Sequence, residues 1–453
     1  MRDFISCNQP EIFSDTDSDT IQNAIAAAVE CGCNKIVIPR YNYRTDKNEW
    51  RISKAIEVPS DMTIILDNCY MVQETGVYDN MFRNSMAYVE KHSIETEQHD
   101  ISIIGVGNVC LSGGVHNGLL ERNAGKHGFP NSVRVNQMIL WINVRRLRME
   151  NIHIEHQRHW AITHHYCEDV KIKNIDFDVV PTVPNEDGIN LRIGCKNFEI
   201  ENITGRTGDD TIAMTAIMSK WEQDNAVEGK STDICDVKIK NVISDPYRML
   251  NVRVLTQDGV QVHDIDIDTV MDCADYAMKF MSHANAAIGI GTQGALYVKI
   301  CRAKLGDLRG ITAKNIYARG ATAVRFDDGC ADSTFTNVKT FGVCFTGIGT
   351  VGFGCVLKNI VFDGFYYGSM KTDAQRGHVD RYMPSAIVRL PNTTGDITVK
   401  NIYSDGNEYV CVAEDGLEAT FENCDLTNFD RVVSKVGKSK ITVNGEVYGD
   451  ERA

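Results

Sequence analysis

A pattern that returns about every 22 residues constrains this chain more than any other feature. Short strands of alternating apolar residues carry Asn or Asp just before a β-branched or aliphatic residue, as in Met149-Glu150-Asn151-Ile152, Ile172-Lys173-Asn174-Ile175 and Val399-Lys400-Asn401-Ile402. The marked positions are Asn151, Asn174, Asn202, Asn241, Asp264, Asn315, Asn337, Asn359, Asn401 and Asn423, at intervals of 23, 28, 39, 23, 51, 22, 22, 42 and 22. One turn of about 22 residues lies in the range of solenoid repeats, and the longer intervals read as double turns or turns bearing loops. Period-two strands at a fixed repeat, with no helical pattern between them, predict a parallel β-helix. Asn at the same corner of each turn tolerates left-handed backbone and can bond the copies above and below it. Hairpin dipeptides at two-residue spacing are scarce, which argues against a β-sandwich.

A repeat core grows along one axis, so 453 residues need not mean several domains; residues 1–453 are expected to form one. No apolar run approaches the roughly 20 residues of a membrane-spanning helix. Met1-Arg2-Asp3-Phe4-Ile5-Ser6 lacks the basic-then-apolar order of a secretory signal, so a cytoplasmic location is expected. The 15 cysteines are odd in number and scattered singly through apolar stretches, as expected of reduced thiols packed as small hydrophobes. Cys31-Gly32-Cys33 lacks metal-ligand spacing and a partner pair. A net charge of −14 argues against nucleic acid or an anionic membrane as partner, and an acidic sugar would need local basic residues.

Ahead of the repeats, Asp19 and Gln22 read as a capping box for a helix over 19–32 that ends at Gly32. Ile21, Ala24, Ile25, Ala28 and Val29 give it one apolar face, suited to cover the open end of a solenoid core. Loops break the repeat at 78–98, 112–135, 214–235, 281–297 and 364–385 and carry Trp221, His283, Tyr366, Tyr367, Arg376 and Tyr382. They are expected to build a binding groove or to serve as contacts between copies of the chain.

Two acidic turns stand one repeat apart: Asn185-Glu186-Asp187-Gly188 and Thr207-Gly208-Asp209-Asp210, with 22 residues from Asp187 to Asp209. Neighbouring layers sit about 4.8 Å apart, so the three carboxylates are expected to crowd one patch, where repulsion favours keeping a proton on one of them. One protonated and one ionised carboxyl suit glycoside hydrolysis, but spacing alone does not choose between inversion and retention.

With these motifs in place, the chain resembles the polygalacturonase-type glycoside hydrolases of family 28, in the pectin-lyase-like superfamily. The likeness runs from about Asp15 to Lys279. It rests on Asp15-Thr16-Asp17, Gly105-Val106-Gly107-Asn108, Trp160-Ala161-Ile162-Thr163-His164, Asn185-Glu186-Asp187-Gly188 and Gly208-Asp209-Asp210. It implies a right-handed, single-stranded parallel β-helix, all-β, and inverting hydrolysis of α-glycosidic bonds in pectin-derived oligosaccharides. Asp209 would then be the general acid, with Asp187 and Asp210 activating water, and no metal or other cofactor is implied. The family's Gly-His-Gly is replaced by Asp245-Pro246-Tyr247-Arg248-Met249, and its Arg-Ile-Lys by Ala277-Met278-Lys279. Arg248, Arg253 and Lys279 could together rebuild a carboxylate site, and His164 could contact sugar hydroxyls. The short imported substrates expected of a cytoplasmic enzyme favour exo-action. Two other readings are a calcium-dependent lyase, with Arg192 or Arg206 as base, and a carbohydrate-binding or tailspike-like module without turnover.

Overall fold

Alternating apolar strands that recur in register can bury their inner faces only by stacking, and the computed structural model shows that arrangement. It describes residues 3–114, 137–157, 159–179, 185–247, 249–257, 259–273, 285–291, 303–341, 346–350, 354–368, 385–434 and 436–449. The chain divides into two compact units, Met1–Asp209 with Ser219–Thr232, and Asp210–Met218 with Asp233–Ala453. The fold is a right-handed parallel β-helix with an N-terminal helix, as the repeat and the family likeness predict.

In the first unit, strands Ile5–Ser6, Lys35–Pro39, Thr63–Asp67, Gln98–Val106, Val144–Glu155, Glu168–Asp178 and Lys196–Thr207 pair successively in parallel. A second parallel sheet is made by Ile56–Val58, Phe82–Asn84, Ile139–Ile142, Ile162–His165 and Ile189–Leu191. Register keeps like with like: Leu147, Val170 and Phe198 form one column, and Ile152, Ile175 and Ile203 another. All six are buried. Each such side chain contributes on the order of 1.5–3 kcal/mol by leaving water.

The second unit repeats the scheme. Strands Ile234–Pro246, Val262–Asp272, Leu308–Ala318, Cys330–Thr340, Val356–Tyr367, Thr394–Ser404, Leu417–Cys424 and Lys440–Val443 form one parallel ladder, which ends in an antiparallel strand, Glu446–Tyr448. The other ladder runs through Ile212–Ala216, Leu250–Thr256, Ala286–Ile290, Thr322–Phe326, Thr346–Gly349, Ala386–Arg389, Asn407–Val412 and Phe429–Val433. In the first of these ladders Phe335 and Phe362 pair across neighbouring strands and stack with ring centroids 4.5 Å apart.

All ten Asn or Asp residues that mark the repeat have left-handed backbone, with φ from 52° at Asn423 to 59° at Asn151. Their side chains link successive turns: Asn174 Nδ2 donates to Asn151 Oδ1 at 2.7 Å, and Asn202 Nδ2 to Asn174 Oδ1 at 2.9 Å. The same rung recurs from Asn337 to Asn315 and from Asn423 to Asn401. Most L-residues avoid this region, whereas Asn tolerates it and satisfies its amide on the next layer.

The N-terminal helix α1 spans Asp17–Cys31 and is capped by Thr16, not Asp19. Thr16 is extended, and its Oγ1 accepts from Asp19 N at 3.0 Å, so the helix starts two residues earlier than the Asp19-Gln22 signal suggests. Gln22 instead reaches across to a strand, where its amide donates to Glu57 O at 3.1 Å and accepts from Glu57 N at 3.0 Å. It thereby satisfies the main chain of strand Ile56–Val58, which would otherwise present an unpaired edge. Ile21, Ala24, Ile25 and Ala28 are buried as expected, but Val29 is 51% exposed. Gly32 closes the helix at φ 72°, where a Cβ would be strained. Cys7, Cys69, Cys167, Cys195, Cys330 and Cys411 are free thiols packed in the core, and burial raises the pKa of each. No helix among the described residues is long and apolar enough to cross a membrane.

Of the loops expected to form a groove, 78–98 and the 219–232 part of 214–235 lie in the first unit and pack on each other. Glu228 N donates to His92 O at 3.2 Å, and Lys230 pairs with Glu97 at 2.6 Å. Residues 115–135, 281–284, 292–297 and 369–384 lie outside the described residues, and with them His283, Arg376 and Tyr382.

Candidate active site

Both acidic turns immediately precede a short strand, Ile189–Leu191 or Ile212–Ala216, so each carboxylate is set at a corner by the strand that follows. In the first unit the turns are tied to neighbouring layers. Ala161 N donates to Asp187 O at 2.9 Å, Gly208 N to Glu186 O at 3.1 Å, and Thr207 Oγ1 to Asp209 O at 2.8 Å. Asn185 N donates to Asp209 Oδ2 at 3.1 Å, which orients that carboxylate. As the 22-residue step predicts, Asp187 and Asp209 converge: an oxygen of one lies within 4.8 Å of an oxygen of the other. Each is buried, with 5% of its surface exposed.

The same unit carries a cluster of aromatic side chains. Trp160 and Trp221 have ring centroids 5.9 Å apart, and Trp221 meets His165 edge-on at 4.1 Å. Trp221 is carried by the short helix α2, Lys220–Asp224, which also supplies Glu222. Arg192 Nε donates to Glu222 Oε1 at 2.9 Å, with both side chains nearly sealed from solvent. The Arg192 guanidinium lies 4.7 Å from the Trp160 ring centre, a cation–π geometry. Charge pair and stacking together lock the cluster in place. Arg192, considered as a lyase base, is thus engaged by Glu222, and Arg206, the other candidate, lies exposed on strand Lys196–Thr207.

Asp210 opens the second unit and is fully buried. Its Oδ1 accepts from Leu250 N at 3.1 Å, and its Oδ2 pairs with Arg253 Nε at 2.9 Å. Arg253, expected to grip a substrate carboxylate, is thus engaged by an aspartate of the chain itself. His164 does not join the acidic turns. Strand alternation points it into the coil, where it is fully buried, edge-on to Phe198 at 5.2 Å, with Nδ1 3.2 Å from Asn190 O. Burial lowers its pKa to about 4, so the ring is neutral at physiological pH. Arg248 and Lys279 lie outside the described residues.

Sequence reasoning placed Trp221 in a groove loop but missed the Arg192–Glu222 pair. The partners are 30 residues apart with no motif joining them, and only the α2 insertion, absent from a bare repeat, hinted at a special role.

Residues 50–231, which contain both acidic turns, Trp160 and Trp221, match the model for the glycosyl hydrolases of family 28. This stretch is similar to the family 28 glycosyl hydrolases. The chain is 27% identical over 139 residues to polygalacturonase QRT2 of Arabidopsis thaliana, covering 29% of this chain and 30% of that protein. It is 23% identical over 244 residues to a polygalacturonase of Chamaecyparis obtusa, covering 45% and 41%. The chain therefore spans well under half the length of either relative. Among solved structures, a variant tailspike protein of E. coli bacteriophage HK620, in complex with a hexasaccharide, matches with TM-score 0.60 at 11% identity over 97% of this chain and 80% of that one. At that identity the likeness is one of fold. The matching stretch stops at residue 231, so Arg253 and Lys279 fall beyond it.

Proposed function

We propose that this protein is a glycoside hydrolase that cleaves α-glycosidic bonds in galacturonate-containing or related oligosaccharides. The observation that carries the reading is the approach of Asp187 and Asp209 to within 4.8 Å inside the stretch that matches the family 28 model. In this reading Asp209, held by Asn185 N, gives its proton to the glycosidic oxygen, and the bond to the anomeric carbon breaks through an oxocarbenium-like state. Asp187 takes a proton from the attacking water. Asp210, paired with Arg253 in its own unit, positions rather than transfers. The substrates are short cytoplasmic oligosaccharides shortened from one end.

Inversion comes to this reading from the family likeness alone, since inverting carboxyl pairs usually stand about 6.5–9.5 Å apart and retaining pairs about 5–5.5 Å. Oligogalacturonides and aryl α-glycosides should be incubated with the protein and followed by mass spectrometry and proton NMR. The expected products are a saturated monosaccharide that has gained one water, formed first as the inverted anomer. An unsaturated product that depends on calcium would replace hydrolysis by elimination, and no product from any substrate would leave a binding module.

A further inference from the structure

On the outer face of the first unit, away from the acidic turns, a second group of chemically competent side chains is stacked by the same register. Tyr70, Cys110, His153, Asp176 and Thr204 occupy one column through five successive layers. Glu155 lies two residues beyond His153 on the same face of its strand, because strand side chains alternate. A ligating atom from each of Cys110, His153 and Glu155 falls within 4.8 Å of the others, and His153 Nε2 is 4.0 Å from Glu155 Oε2. The other ring nitrogen, Nδ1, lies 2.7 Å from Asp176 Oδ2, while Asp176 Oδ1 accepts from Thr204 Oγ1 at 2.5 Å. Tyr70 OH bonds Glu155 Oε1 at 3.3 Å. Cys110, His153, Asp176 and Tyr70 line an outward cleft of about 650 Å³, so an ion can enter.

We propose that Cys110, His153 and Glu155 bind a borderline divalent transition-metal ion of the zinc class, with Asp176 orienting the histidine. Three features single out this class. A thiolate, an imidazole nitrogen and a carboxylate are a zinc-type donor set, whereas magnesium and calcium prefer oxygen alone. A carboxylate on the far ring nitrogen is the arrangement that fixes a metal-bound histidine and strengthens it as a ligand. The ligand atoms around a tetrahedral ion with bonds of about 2.0–2.3 Å stand roughly 3.5 Å apart, so the observed spacing needs only small rotations of side chains that already face a cleft. Binding breaks the Cys110 S–H bond, releases that proton to solvent, and turns the thiol's hydrogen bond to Glu155 into shared coordination of the ion. Water from the cleft completes the shell.

The experiment uses the whole chain, stripped with a chelator and carrying Cys31→Ser and Cys33→Ser so that the neighbouring thiols near the end of α1 cannot compete. Cobalt(II) alone is titrated and followed by absorption, then displaced with zinc(II). One equivalent of cobalt should produce a thiolate-to-metal charge-transfer band that zinc removes. Cys110→Ser should abolish the band. His153→Ala should weaken binding at least tenfold, and Asp176→Asn, which touches no metal, by about 10–100-fold with an unchanged melting transition. Absence of the band, its survival in Cys110→Ser, or unchanged affinity in His153→Ala would overturn the proposal. His153 is a surface side chain, so that variant decides the matter if Cys110→Ser fails to fold.

Discussion

His164 shows how one residue's direction settles its chemistry. It stands in a stretch that resembles the Trp-then-His segment of family 28, yet strand Ile162–His165 turns its ring inward against Phe198. Its pKa falls from 6.5 to about 4, so the folded protein holds it neutral while the unfolded chain gains a proton once the pH drops below about 6.5. The neutral form's contribution is complete above that pH, is lost between about 6.5 and 4, and changes little below. At about 1.4 kcal/mol per pKa unit the loss is on the order of 3 kcal/mol. Urea midpoints from pH 7.5 to 4 should therefore fall more steeply for the wild type than for His164→Leu, and parallel curves would contradict the assignment. Asp187 and Asp209 were legible because a fixed period carried both. Arg192 with Glu222 and Asp210 with Arg253 were not, since each pair is made by tertiary packing that no local pattern encodes.

At the level of elements, the coil was readable because its corner is a local property. An Asn that must be left-handed announces the turn whatever surrounds it, and all ten marked positions obey. Asn174 is a fair test: it gives one rung to Asn151, receives one from Asn202, and sits at φ 54°. Asn174→Ala should destabilise by roughly 2 kcal/mol, through the strained backbone and the lost rungs. Asn174→Gly should cost about half of that, since glycine adopts this conformation freely. Equal losses in thermal or urea unfolding would show that the corner conformation is not what the asparagine supplies. The start of α1 was misread because Thr16 and Asp19 are both good caps three residues apart. The outcome turned on Asp17, which Arg44 and Asn42 bind at the first helical position.

For the whole molecule, fold and chemistry rest on different supports. The coil is shown by strand register through both units and by likeness to the tailspike. The proposed chemistry rests on two side chains, Asp187 and Asp209, within the stretch that matches the family 28 model. A β-helix offers long outer faces on which many sites can be built, and architecture alone therefore does not name the reaction. Turnover of an oligogalacturonide or aryl α-glycoside by wild type and Asp209→Asn tests the central claim most directly. Loss of the general acid should lower kcat by about 10²–10⁴-fold with an unchanged melting transition. An Asp209→Asn protein that hydrolyses as fast as the wild type would contradict it.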